Sequence, residues 1–338
     1  MRPYVFALFV VGCGSSPTVT PADAGTSPAA EASTVDPNTY ALASGQDFPH
    51  GVAVDAAWVY WSNVVQGTIR KTGKHGAGNP ILVVVDGQNE PQRLVVDAGY
   101  LYWTNAGTPS SSFFDGELAR ISLDPAGGGA RQVIASNQRR IADVALDAEH
   151  VYWVVTGTQT GGHYFGDGSI WRANKDGSAP EMLAQMQDFP SRIAVDRSHV
   201  YWTNDYAGTV MRCAVAGCSL VPETLYRMQD EPSGIALDAT SVYWANYHGG
   251  SIMKGALDGK TPAIALAESR GFIDALTTDG QTLFWTEAIT HDVMGIPNAG
   301  GSLSPRASDQ KLPLDIKADE QAVYWTDETS GTVMRAPK

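Results

Sequence analysis

The sequence predicts an all-β fold, a seven-bladed propeller of four-stranded antiparallel blades, and three observations carry that prediction. One aromatic strand is written seven times, as VYWSN (59–63), LYWTN (101–105), VYWVV (151–155), VYWTN (200–204), VYWAN (242–246), LFWTE (283–287) and VYWTD (323–327). The Trp residues of these copies, 61, 103, 153, 202, 244, 285 and 325, stand 40 to 50 residues apart. Filled with β-branched residues, aromatics and glycine, such a period suits one four-stranded blade and excludes helical repeats. Finally, the chain stops one strand short in its last repeat while carrying a spare strand ahead of its first.

Taken in order, residues 1–12 place Arg2 before a short apolar run, Tyr4 to Val11. The run is too short to span a bilayer as a helix but suits the core of an export signal. Val10-Val11-Gly12-Cys13 resembles a bacterial lipobox, so Cys13 is expected to carry lipid and hold the exported protein to the cell envelope. Gly14 stands where inner-membrane lipoproteins commonly carry Asp, which points to the outer membrane. Residues 13–38 are rich in Ser, Thr, Pro and Ala without apolar periodicity and read as the lipidated Cys and a disordered tether. As a flexible coil the tether would reach about 25–30 Å. Residues 39–338 carry the unbroken repeat and are expected to form one domain.

The fourth repeat shows the grammar of a blade: RIAVD (192–196), HVYWTN (199–204), TVMRC (209–213) and ETLYR (223–227), the first three separated by short turns. Its second strand carries adjacent apolar residues where a sheet with one wet face would alternate. Burial on both faces follows, as radially stacked blades impose on each other. YALAS (40–44) matches the fourth strands EMLAQ (181–185) and AIALA (263–267), whereas the seventh repeat ends at GTVMRAPK (331–338) without one. The N-terminal strand is therefore expected to complete the last blade, antiparallel to Thr332 to Ala336, removing an exposed edge.

The repeated motif resembles that of the YWTD β-propellers, and more closely that of repeat lipoproteins of Gram-negative bacteria with no assigned function; the resemblance covers about residues 40 to 338. Well-known YWTD propellers have six blades where this chain has seven copies, and the motif's final Asp survives at Asp327, with Asn at 63, 105, 204 and 246. The motif specifies a scaffold and implies no catalytic residue.

The formal charge is −13 and no run of Lys and Arg exists, which excludes nucleic acid as main partner; a monomer is expected. Apart from Cys13, Cys213 and Cys218 remain, a pair suited to a short-loop disulfide in an oxidising compartment. Asp55, Asp97, Asp147, Asp196, Asp238, Asp279 and Asp319 end the first strands. A ring of carboxylates could hold a cation, but each precedes a two- or three-residue turn, and turn capping is the expected role.

Departures from the repeat carry the functional signal. In repeats two and three the link between second and third strands expands to residues 104–117 and 154–169, with Phe113, Phe114, Tyr164 and Phe165 ahead of an Asp-Gly pair, and His163 beside them. Strand order puts both insertions on one face, the upper face, where the links into each first strand also lie. Insertions on one face of a repeat protein mark a binding face. With Tyr206 and Tyr247 in the shorter equivalent loops, that face is expected to offer aromatic surface to a protein or carbohydrate partner; the alternative is that these rings fold back over the blade tops. At the channel mouth stand His50, Arg93, Asp143, Arg192, Asp274 and Asp315. Arg93, Asp143 and Arg192 are expected to neutralise one another in a partly solvated network, and five other histidines, 75, 150, 163, 199 and 291, to lie in loops.

The favoured reading is a lipid-anchored, extracytoplasmic binding module without cofactor. The alternative is a hydrolase or lyase with a divalent metal at the channel mouth, as in propellers of similar architecture such as lactonases and streptogramin lyases. A purely structural envelope component is the third.

Overall fold

The structure, a computed structural model, describes residues 39–338 apart from 76–77, 98, 109–111, 125–128, 161–162 and 165. The expected signal, Cys13 and the tether lie outside the described residues. Seven four-stranded antiparallel sheets form the blades. Their first strands touch in sequence all the way round, the seventh returning to the first. Blade 4 is typical: Pro190–Val195, His199–Asn204, Thr209–Ala214 and Glu223–Tyr226 pair in order from channel to rim.

Period two explains the repeated Val-Tyr-Trp. Successive side chains point to opposite faces of a strand, so the Tyr of each blade faces the next blade and the Trp faces the previous one. Thus Tyr60 packs with Trp103, Tyr102 with Trp153, and Tyr201 with Trp244. The Tyr324 to Trp61 cluster closes the circle. All seven Trp side chains are essentially inaccessible to water, and no blade could bury its own ring without the neighbour.

The closing strand is found as expected. Tyr40–Ala43 pairs antiparallel with Thr332–Pro337, Tyr40 opposite Arg335 and Ala43 opposite Val333. Leu42 and Ala43 join the cluster between the last and first blades. This strand runs from the lower rim to the upper face, where Gln46 donates its backbone N–H to Gly331 O at 2.9 Å.

On the lower face all seven turn aspartates cap their turns. Asp196 Oδ1 accepts the N–H groups of Ser198 and His199 at 2.7 and 2.8 Å, and the other six repeat the pattern. In five blades Oδ2 accepts the repeat's Tyr hydroxyl. In the other two a lysine reaches Oδ2 instead: Lys175 on Asp97 at 3.1 Å, and Lys338 on Asp279 at 2.6 Å, where Phe284 has replaced the Tyr. Cys213 and Cys218 form a disulfide across the lower loop of blade 4. His150 and His199 open second strands rather than lying in loops.

Candidate functional site

Six of the seven upper links into a blade carry one glutamine at a fixed place. Gln46, Gln88, Gln187, Gln229 and Gln310 each accept the indole N–H of the following Trp, as Gln187 Oε1 does from Trp202 Nε1 at 3.0 Å. Each amide also donates Nε2 to the carbonyl two residues back, which fixes which end faces the ring. Four of these Gln oxygens accept a second bond, from the Asn that ends the motif. In these four blades the Asn donates to that oxygen, whereas Asp327 of blade 7 accepts the backbone N–H groups of Lys311 and Leu312 at 2.7 and 3.1 Å. Blade 6 exchanges both partners at once. Arg270 stands in the Gln place and Glu287 in the Asn place, paired through two bonds of 2.6 and 2.9 Å, with Trp285 Nε1 on Glu287 at 2.7 Å. The Gln lies 15 residues before every Trp of the repeat except Trp285, where Arg270 holds the place, and that fixed spacing is the signal sequence reasoning passed over.

The residue ahead of each Gln, or of Arg270, has a left-handed backbone: Gly45, Gly87, Asn137, Met186, Met228, Ser269 and Asp309. Gly, Asn and Asp suit that conformation; an ordinary side chain there costs roughly 1–2 kcal/mol. Met186 and Met228 are nonetheless 80% and 95% exposed, so no burial offsets the cost.

At the channel mouth the six expected residues come together, but not in the expected pairing. Arg93 reaches Asp274 at 2.8 Å and Asp315 at 2.9 Å, and Arg192 reaches Asp274 at 2.9 Å. The bonds therefore span the channel between non-adjacent blades instead of joining neighbours, and Arg93 and Asp315 are buried rather than partly solvated. Asp143 accepts backbone N–H groups from Ile193 and Val144 at 3.0 and 2.9 Å. The reason is geometric: side chains at this level point inward, so the opposite wall of a narrow channel is within reach. Burial opposes ionisation of Asp274, but Arg192 and Arg93 overcome it and hold the carboxyl well below the usual range. Burial and Arg93 push His50 down to about 3, so it is neutral. A cavity of about 90 Å³ remains, lined in part by Arg93, Asp143, Arg192 and Lys317.

Above this network, Asp205, Tyr247 and Glu328 share one repeat position, the residue after the motif. Burial pushes Asp205 up to about 8, against the Ser191 hydroxyl and the Arg192 charge. Burial raises Glu328 as well. Among the described residues no group of three or more His, Cys, Asp or Glu side chains is placed to share a metal ion.

The two insertions have the same base. Thr108 donates its N–H and hydroxyl to Asp115 at 2.7 and 2.8 Å, and Thr158 does so to Asp167 at 2.7 and 2.6 Å. Gly107 and Gly157, at φ +99° and +94°, allow this, for a Cβ would fall within 2.5 Å of the carboxylate oxygen. Arg139 links the two insertions, stacking on Phe114 at 4.0 Å and reaching Asp167 at 3.3 Å. Phe113 lies beneath Arg140 at 5.6 Å and is half-buried, while Phe114 is 43% exposed. His163 and Tyr164 lie in a short hairpin with Gln159–Thr160; their side chains, and Phe165 entirely, lie outside the described residues. Tyr206, 55% exposed, packs edge-on to Phe189, and Tyr247 stacks on Phe272 at 4.7 Å. The aromatics thus divide: Phe113 and Tyr247 cover blade tops, Phe114 and Tyr206 face water.

The fold and this face define a seven-bladed β-propeller with a charge-lined channel and a varied upper surface. No protein-family model matches the chain, and no curated protein matches it in sequence. Solved structures share the fold. Virginiamycin B lyase from Staphylococcus aureus superposes with a TM-score of 0.70 at 13% identity, over 89% of this chain and 98% of that one. A gluconolactonase from Xanthomonas campestris gives 0.56 at 14%, over 88% and 89%. A chain of a nidogen/laminin complex gives 0.54 at 21%, over 66% and 86%.

Proposed function

We propose that this propeller is a recognition module that binds a partner through its upper face, held to the cell envelope by lipid on Cys13. The observation that carries this reading is the division of labour on that face. The strong charges at the channel mouth are spent on each other, Arg93 and Arg192 on Asp274 and Asp315, while Phe114, Tyr206 and the two Met side chains stand in water at the rim. Exposed Phe, Tyr and Met side chains are of the types enriched at protein interfaces relative to the rest of a surface. The double variant Phe114→Ala, Tyr206→Ala should keep its melting temperature and lose at least tenfold in retention of envelope partners; undiminished retention overturns the reading. Cys13→Ser should release the protein from membranes.

A hydrolase or lyase at the channel mouth is the second reading. It is favoured by Asp205, whose raised carboxyl suits a proton donor, and by the partnerless Nε of Arg192 beside the cavity. Turnover of virginiamycin B or of a lactone panel, abolished in Asp205→Asn, would establish it; no turnover by the unaltered protein removes it.

A further inference from the structure

The upper links into blades 4 and 5 read MQDFPS (186–191) and MQDEPS (228–233), a repetition closer than that between any other pair of links. The Gln, Pro and Ser have structural work: Gln187 and Gln229 hold the Trp rings, and Ser191 and Ser233 bond Asp205 and the Ile273 carbonyl. The Met and Asp have none of that kind. Met186 and Met228 occupy left-handed positions that the other links give to Gly, Asn, Ser or Asp, and both point into solvent. Two residues on, Asp188 is half-buried and Asp230 exposed. These two links carry Asp188, Asp230 and Glu231 beside Arg227 in sequence, in a chain already at −13, and of the three carboxylates Glu231 is met by His248 at 2.7 Å. Tyr206, in the adjoining loop of blade 4, adds an exposed ring.

We propose that Met186, Asp188, Met228 and Asp230 form a docking surface for a basic protein segment with one apolar face. The proposal rests on the recognition reading above and names its partner. Unbranched, polarisable Met side chains adapt to varied apolar side chains and are used on surfaces that take peptides, whereas flat rings would be expected for sugar. Carboxylates two residues from each Met select Lys or Arg beside those apolar groups. Repetition on adjacent blades supplies two such points in series, which an extended or helical segment can span.

The test uses the full chain labelled with ¹³C at Met methyl groups. It is titrated with a synthetic amphipathic peptide of Leu and Lys, with its Leu and Gln counterpart, and with a chito-oligosaccharide. The Met186 and Met228 methyl signals should move with the Leu–Lys peptide, and the effect should weaken with salt. Met186→Asn with Met228→Asn should cost roughly tenfold or more in affinity without loss of folding, since Asn137 holds the same backbone position. That variant leaves the net charge unchanged, so attraction to an acidic protein in general would survive it. Stationary methyl signals, equal binding by the double variant, equal binding of the Leu–Gln peptide, or movement with the oligosaccharide alone would each overturn the proposal. If partner retention still depends on Phe114 and Tyr206 while these Met residues prove indifferent, the recognition reading stands and this inference falls.

Discussion

The two faces of the ring are built from the same seven repeats and have diverged to different degrees. Below, every turn carries the same aspartate bonding the same two backbone N–H groups, and where the Tyr partner is lost at Phe284 a lysine, Lys338, takes its place. Above, one position is Val64, Ala106, Thr156, Asp205, Tyr247, Ala288 or Glu328 depending on the blade, and two blades carry insertions. A residue repeated sevenfold answers a need repeated sevenfold, which is to fold. Function has to be sought where the copies disagree.

The test with the largest expected effect removes what both faces depend on. Deleting residues 39–45 strips the outer strand from the last blade and exposes the Trp61 interface; the melting temperature should fall by more than about 10 °C, several kcal/mol for a domain of this size. An unchanged midpoint would break the account of closure. Next comes the one blade whose upper link differs in chemistry. Arg270→Gln leaves Glu287, fully buried, without its cation and should cost about 3–5 kcal/mol. Arg270→Gln combined with Glu287→Asn restores the pattern of the other blades and should recover most of that loss in a denaturant melt.

A lower-face cap is worth less. Asp196→Ala removes two backbone bonds and the Tyr201 hydroxyl partner, for about 1–3 kcal/mol, with no change in partner binding. If binding changes, the separation of faces fails. A further test is a pH dependence on the upper side. Asp205 keeps its proton to about pH 8 in the fold but only to about pH 4 when unfolded. The folded state therefore binds more protons across that window, and stability falls as pH rises through it. Asp205→Asn should flatten the fall between pH 5 and 9 in thermal melts, while Asp274, held low by Arg192 and Arg93, still loses its contribution in both proteins below about pH 4.

Blade number, strand order, closure by Tyr40–Ala43 and the capping role of the aspartates were all legible in the sequence, because each rests on period and local turn chemistry. The cross-channel pairing of Arg93 with Asp274 was not. The partners are 181 residues apart, and nothing in strand order says which of seven inward-pointing chains will meet. The glutamine belt was legible in principle, but attention to the aromatic strand hid the constant spacing ahead of it. Whether Phe113 or Phe114 would face water depended on where Arg139 and Arg140 came to rest, a matter of side-chain packing beyond any motif.

The direction of the closing strand has a mechanical consequence. Its first residue sits at the lower rim, so a pull on the leading end directed along the strand loads the ladder to Thr332–Pro337 lengthwise. Hydrogen bonds across an antiparallel pair lie perpendicular to the strands, so such a load is shared in shear by the whole ladder, whereas a sideways pull would peel it one rung at a time. A domain tugged by its leading end along that strand is thus gripped at its own seam in the sturdier of two ways.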